Sequence, residues 1–435
     1  MANALASDRA PIRSRTFAAL ANPNYRRFYL GQGISLIGTW LQGAAINWIV
    51  FEKTHSESML GVVGAAALFP GLVVGLIAGV IADRVVPRRM ILIMEVAQMV
   101  LAFAVTFLIG FGIVQVWHLI VILMLTRVCV TFEMPSRQVF LYDVVGRADL
   151  SNAIALNSGL FNASRVIGPA LAGLIYAGLG ATACFALNGA SYLAAIVAVL
   201  AIRLPARRRP QGAKGLAEVL GGFAFIGSDR RVMILFVLMT FFGVVGMGYD
   251  SMIPAYATRV VGTDVRGYSV LLACSGVGAT VGAFWMASFS SAESKEWLVL
   301  AGLLIFAVAL AASAWFPPLA GLVAFPAVRL ATASVCLFGV GFGAVLFYAS
   351  TQTMIQNALP DHLRGRVMAI WIIAYSGSVP LGSLWTGYVA SHFGVTYAMT
   401  VSSSVCAVVG VGGVVTWLLV KPSAQPLCLA QREAR

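Results

Sequence analysis

Runs of about 20 apolar residues recur along the whole chain, separated by short polar stretches, and no other feature constrains its fold as strongly. About 20 residues of helix at 1.5 Å per residue cross the roughly 30 Å hydrocarbon core of a bilayer. Inside that core every backbone N–H and C=O must be satisfied by the protein itself, which leaves helices or a closed barrel. The runs are continuous rather than alternating, so they read as helices and not as barrel strands. Of 435 residues, 60% are hydrophobic and 10% charged, against about 25% charged in soluble domains. The expected fold is an all-α polytopic membrane protein.

About twelve spans are expected, with six in each half. The first six read as 28–51, 59–82, 90–112, 116–134, 153–178 and 182–202. The second six read as 232–256, 267–290, 297–316, 328–352, 365–390 and 396–420. Residues 1–27 form a polar N-terminal segment with no short apolar core and cleavage site, so they do not read as a signal peptide. Residues 28–202 and 232–420 are then two six-helix bundles. Between them, 203–231 is a basic linker whose amphipathic piece, 215–227, suits a helix lying on the membrane surface. Residues 421–435 are a tail.

Arginine and lysine decide the orientation. The formal charge is +13, but the basic residues lie between apolar runs and at the ends of the chain, which is a topology signal rather than a nucleic-acid one. Of the 29 Lys and Arg, the loops facing the same side as the N-terminus hold all but six: Lys53, Arg259, Arg266 and Arg329 on the other side, and Arg127 and Arg165 within spans. This bias places both termini in the cytoplasm and requires an even number of spans. The partners implied are the bilayer and a small-molecule substrate, without nucleic acid, for a monomer.

The halves repeat faintly. Asp149 and Leu150, Gly168 and Pro169, and Ser191 recur as Asp361 and Leu363, Val379 and Pro380, and Ser402. Two parallel six-span halves joined by a basic loop form a repeat architecture with a binding site at the interface between repeats. Glycines at four-residue spacing (Gly71, Gly75 and Gly79; Gly278 and Gly282) let helices approach closely. Of six cysteines, none forms a C-x-x-C pair, and the expectation is free thiols and no metal. There is no G-x-x-x-x-G-K-[ST], H-E-x-x-H or G-x-S-x-G, and the four histidines are scattered singly, so an enzyme is not expected.

Ionisable residues inside spans are functional hypotheses by default. Here they are Glu95, Arg127, Glu133, Arg165 and Asp250. Glu95 is either an interfacial snorkelling group or a proton or cation site. Glu133 lies four residues from Arg137 and reads as a local ion pair or a coupling group. Asp250, beside Tyr249, belongs to an outer gate or an outer vestibule. Arg127 is expected to pair with Glu95 or Glu133, or to hold an anionic substrate group, and Arg165 to pair with groups on the cytoplasmic side. Gln32, Ser35, Thr39 and Gln42 share one face of the first span and are expected to line a substrate path, in preference to bonding other helices. Tyr249, Tyr348, Gln352, Trp371 and Tyr375 are weaker lining candidates.

One short turn, between spans 2 and 3, gathers Gly79, Asp83, Arg84, Arg88 and Arg89. This stretch resembles the loop 2–3 motif of the major facilitator superfamily, G-x-x-x-D-R-x-x-R-R, with one extra residue before the last Arg pair. Gly31, Gln32 and the run Ile37 to Gln42 are similar to the first helix of its bacterial transmembrane secretion effector branch, which includes the enterobactin exporter. Phe132, Glu133, Pro135, Arg137 and Gln138 resemble that branch's F-[DE]-x-P-x-R-Q segment. Asn152, Ala153, Asn157, Phe161, Asn162, Arg165, Gly168, Pro169 and Gly173 resemble its fifth helix. The resemblance runs from about Asn22 to Val420 and is sharper in the first half.

The resemblance implies the major facilitator fold, alternating access, no covalent chemistry, and export of a drug, siderophore or metabolite across a bacterial inner membrane. It implies proton antiport, with the proton gradient as energy source and no cofactor. Uptake, lipid flipping and a non-transporting receptor are the alternatives. Gly168, Pro169 and Gly173 are similar to the later part of the antiporter motif; Ala155 and Ser164 stand where that motif has Gly. Glu95 stands where the branch more often has Gln, and Arg127 where it often has a small residue. An antiporter needs a carboxylate that changes environment between two conformations, which makes Glu95, Glu133 and Asp250 the coupling candidates. By the same resemblance Asp83 meets the N-terminus of span 11, near Arg364 and Arg366, as a latch of the state closed to the cytoplasm.

Overall fold

The computed structural model describes residues 17–202, 223, 225–288, 296–320 and 326–419. The tail and most of the basic linker with its amphipathic helix lie outside the described residues, as do the side chains of Gly79 and Asp83.

Among the described residues, ten helices are long and apolar enough to cross a membrane. One of them, Val116–Ala201, has 86 residues. At 1.5 Å per residue that is about 130 Å, several bilayers long. It is broken where Gly146 takes φ 70° and Gly180 φ 81°, a left-handed backbone that glycine adopts without a Cβ clash. The run is therefore three crossings, 116–145, 147–179 and 181–201, and the total among the described residues is twelve.

Span 1 is Pro23–Thr54 and span 2 is Glu57–Ala66 followed by Phe69–Arg84. Span 3 is Pro87–Gly110, and spans 4 to 6 are the three segments above. Span 7 runs through Arg230–Phe241, a π turn Phe242–Gly246, Tyr249–Tyr256 and a second π turn Ala257–Val261. Spans 8 to 12 are Val265–Ser288, Glu296–Ala320, Pro326–Ala358, Asp361–Phe393 and Val395–Leu419. Span 4 outruns its expected end at 134, span 5 starts before 153, and span 11 starts before 365. Hydropathy measures the part of a helix that lies in hydrocarbon, and polar turns such as 135–145 continue the helix beyond it.

The chain divides into two compact units, Met1–Ile46 with Val73–Ala213, and Asn47–Leu72 with Lys214–Arg435. In the first, Tyr25, Phe28, Ile91, Phe140 and Val144 form a buried cluster at one end of the helices. The start of span 1 and the turn before it are tied down there: Tyr25 Oη donates to the Ala153 carbonyl at 3.0 Å, and Asn22 Nδ2 to that of Val144 at 3.0 Å.

The second unit includes the hairpin 47–72, which a division into consecutive halves assigns to the first. Close backbone approach holds it there. A Cβ on Gly61 would lie 2.6 Å from the Ser383 carbonyl, and one on Gly387 2.8 Å from that of Glu57. Glu57 also pairs with Arg259 at 2.5 Å, and Arg259 donates to the His55 carbonyl at 2.8 Å. Trp48 stacks on Tyr268 with ring centroids 5.3 Å apart. Gly278 and Gly282 face the carbonyls of Phe338 and Phe342 at contact distance, whereas Gly75 has nothing within 4 Å. The glycine spacing thus marks close packing in span 8 and not at that position of span 2. Cys129, Cys184, Cys274, Cys336 and Cys406 are free thiols.

Candidate functional site

Four helices of the first unit each carry polar residues at three- or four-residue spacing, and these faces converge. Span 1 contributes Gln32, Ser35, Thr39 and Gln42; span 3 Glu95 and Gln98; span 4 Glu133 and Arg137; span 6 Asn188, Ser191 and Tyr192. Side chains at that spacing share one face of a helix, and a polar face within hydrocarbon must find polar partners.

At the centre are two carboxylates. Glu95 is fully buried and Glu133 2% exposed. Gln32 Nε2 donates to Glu95 Oε1 at 3.0 Å, and Ser35 Oγ to Oε2 at 3.4 Å. Gln98 Nε2 donates to Glu133 Oε2 at 2.9 Å. Both acids share one guanidinium. Arg137 Nη2 lies 3.5 Å from Glu95 Oε1, and Arg137 bonds Glu133 Oε1 through Nε at 3.1 Å and through Nη2. The polar chain extends outward. Tyr192 Oη donates to Gln98 Oε1 at 3.4 Å and meets Thr39 Oγ1 at 3.3 Å, and Asn188 Nδ2 donates to Gln42 Oε1 at 2.7 Å.

Two properties follow. With both carboxylates ionised, one guanidinium balances only one of the two charges. And Gln32 Oε1, next to Glu95, is a buried acceptor without a donor among the described residues. A carboxyl group that takes up a proton becomes a donor, so one proton on Glu95 would balance the charge and supply a donor to this cluster.

The guanidinium that the structure places between the two acids belongs to Arg137. Arg127 is half-buried ten residues, nearly three turns, earlier on span 4. Spacing alone shows that Glu133 can reach Arg137, and not that Glu95 joins them from span 3. The polar face of span 1, expected to line a substrate path, is engaged in hydrogen bonds to spans 3 and 6, with Gln32, Ser35 and Gln42 at most 5% exposed. Gln98, Asn188 and Tyr192 were not anticipated. Their signal was present: Gln98 lies one turn after Glu95, and Asn188, Ser191 and Tyr192 interrupt an apolar span at helical spacing.

Arg165 lies over the Trp40 ring at 5.9 Å. Close by, a Cβ on Gly168 would lie 2.9 Å from both the Ile37 carbonyl and the Leu41 nitrogen. Span 5 thus meets the backbone of span 1 at the first glycine of the Gly168, Pro169 and Gly173 stretch. Of the expected latch, Arg88 Nη2 donates to the Leu200 carbonyl at 2.8 Å, while Arg84, Arg89 and Arg364 are exposed and Arg366 half-buried. The contact expected of Asp83 lies outside the described residues.

In the second unit, aromatic rings gather around span 11. Trp371 is fully buried, 5.6 Å from Phe236 and 5.8 Å from Tyr348, to whose hydroxyl its indole N–H donates at 3.4 Å. Tyr375 lies 5.2 Å from Tyr348, and Gln352 is half-buried one turn beyond Tyr348 on span 10. Tyr249 is 2% exposed against Phe306, and its neighbour Asp250 is exposed. Among the described residues no cluster of His, Cys, Asp and Glu could hold a metal ion.

A family model described as transmembrane secretion effector matches residues 14–426. The Staphyloferrin A transporter of Staphylococcus aureus is 22% identical over 87% of this chain and 93% of that protein. The multidrug efflux pump Tap of Mycolicibacterium fortuitum is 26% identical over 89% and 90%. Macrolide efflux protein A of Streptococcus pyogenes is 22% identical over 86% and 91%. Among solved structures, an inward-facing, unoccupied bacterial homologue of the human lysosomal transporter Spinster superposes with a TM-score of 0.71 at 17% identity, covering 96% of this chain and all of that one. The nucleoside transporter NupG does so with a TM-score of 0.71 at 11% identity, covering 92% of this chain. These two likenesses concern the fold.

Proposed function

We propose that this chain, which belongs to the transmembrane secretion effector family of major facilitator transporters and is no enzyme, exports a small molecule from the cytoplasm in exchange for protons. The coupling carboxylates in this reading are Glu95 and Glu133. The observation that carries it is the burial of these two acids around one shared guanidinium, that of Arg137.

An unbalanced charge is costly in a dry site and tolerable in a wet one. A cycle that alternately closes and hydrates this site therefore loads one proton when it is dry and releases it when water enters. Arg137 tethers both acids, so a change at either one is felt by the other. Gln32 and Ser35 transmit the state of Glu95 to span 1, and Gly168 brings span 5 against that same helix. Transport of staphyloferrin A, efflux of macrolides and multidrug efflux are what the names of the relatives describe, and these define the first compounds to test.

The test is transport in proteoliposomes of the whole protein, using staphyloferrin A, a macrolide and ethidium in turn, with and without an imposed pH gradient. A transported compound should move faster against the proton flow. Glu95→Gln and Glu133→Gln should each abolish the response to the gradient while leaving exchange of that compound at zero gradient. Wild-type transport indifferent to the gradient would overturn the antiport reading. A full gradient response in both variants would remove these two residues from it.

A further inference from the structure

On its outer surface the first unit carries a groove between spans 1 and 6, of about 590 Å³, that the site above does not use. Its floor is made of small residues, Gly31, Ala190, Ala194, Ala198 and Ala201, with Ile34 on its wall and Arg27 at one end. The walls face outward: Ile34 and Leu193 are each 53% exposed. From Ala190 to Ala201 the groove follows eleven residues of helix, about 16 Å at 1.5 Å per residue. That is about half of a 30 Å hydrocarbon core, the depth of one leaflet.

The charge is concentrated at one end. Span 6 stops at Ala201, and two arginines from other helices meet its last carbonyls. Arg27 Nη1 donates to the Ala201 carbonyl at 3.3 Å, and Arg88 Nη2 to that of Leu200 at 2.8 Å. Capping a helix C-terminus with a cation is favourable in itself. A guanidinium carries five N–H donors, however, and one carbonyl takes few of them. Two guanidiniums at adjacent carbonyls make this a doubly charged end. The Lys and Arg bias puts this end at the cytoplasmic leaflet, where anionic lipids attract basic residues.

We propose that this groove binds one anionic phospholipid, with an acyl chain along the small residues and the phosphate between Arg27 and Arg88. Arginine pairs with phosphate through parallel N–H bonds. Gly31 packs directly on Ala194 and Ala198, so the acyl chain lies in the furrow above that contact, between the outward-facing Ile34 and Leu193.

The experiment is native mass spectrometry of the purified full-length protein in detergent, titrated with dioleoylphosphatidylglycerol or dioleoylphosphatidylcholine. One phosphatidylglycerol should bind at least tenfold more tightly than phosphatidylcholine. Arg27→Gln with Arg88→Gln should weaken that binding at least tenfold. Ala190→Leu, which keeps both charges and fills the groove, should weaken it as well. Arg147→Gln, at another exposed arginine, should leave it unchanged, and glycerol 1-phosphate should not compete. Lipid-free unfolding temperatures show that each variant is folded. Equal binding of the two lipids, an equal loss in Arg147→Gln, competition by glycerol phosphate, or unchanged binding in a folded Ala190→Leu would each overturn the proposal.

Discussion

Replacing Arg137 by Gln removes the guanidinium that Glu95 and Glu133 share, and leaves two buried carboxylates whose other donors among the described residues are neutral: Gln32 and Ser35 for one, Gln98 for the other. Removing one partner of a buried ion pair costs about 3–5 kcal/mol. The Arg137 side chain is 33% exposed, so water screens part of its field, and about 2–3 kcal/mol is the expected loss. Where both acids are ionised, Glu95→Gln alone changes the charge count from two anions and one cation to one of each, and its amide can donate to Gln32 Oε1. It should therefore alter stability by no more than about 1 kcal/mol, the net worth of one hydrogen bond. In the Arg137→Gln background the same substitution also removes a like-charge repulsion and should restore about 1–2 kcal/mol, within the range of coupling between contacting residues. The measurement is a double-mutant cycle on thermal or denaturant unfolding in detergent, followed by tryptophan fluorescence. If Glu95→Gln has the same effect in both backgrounds, to within about 0.5 kcal/mol, the three charges are not one electrostatic unit, and the coupling argument built on them is wrong.

Three further outcomes are expected. Gly168→Val puts carbon where the backbone of span 1 lies within 2.9 Å; it should lower stability by about 1–3 kcal/mol, seen as a fall in unfolding temperature. Gly75→Ala, with nothing within 4 Å, should be close to neutral, while Gly278→Ala, facing the Phe338 carbonyl, should be clearly destabilising in the same assay. Glu57→Gln breaks the pair with Arg259, whose side chain is 51% exposed. The loss should be about 1 kcal/mol or less, and hydrogen exchange should quicken in residues 57–66 rather than throughout the chain.

Membrane insertion is a property of segments, and so it was legible in the sequence. Each apolar run favours hydrocarbon whatever its neighbours do, so the number of spans, the helical class and the candidate intramembrane charges could all be read from the chain. Run length reports the bilayer and not the helix, which is why the apolar runs end at 134 and resume at 153 although the helices extend beyond both limits. Spacing told which residues share a face: Gln32 with Ser35, Glu95 with Gln98, Glu133 with Arg137. It could not tell which faces meet, because the rotation of each helix about its axis is set by packing between segments far apart in the chain. Only the tertiary structure joined Glu95 to Arg137. It alone turned the polar face of span 1 towards spans 3 and 6, placed the hairpin 47–72 in the second unit, and separated the tightly packed Gly278 from the unencumbered Gly75. In a bilayer that rotation has little hydrophobic preference, since lipid tails are as apolar as leucine. The few polar pairs and close glycine contacts decide it, and they become pairs only once the helices have assembled.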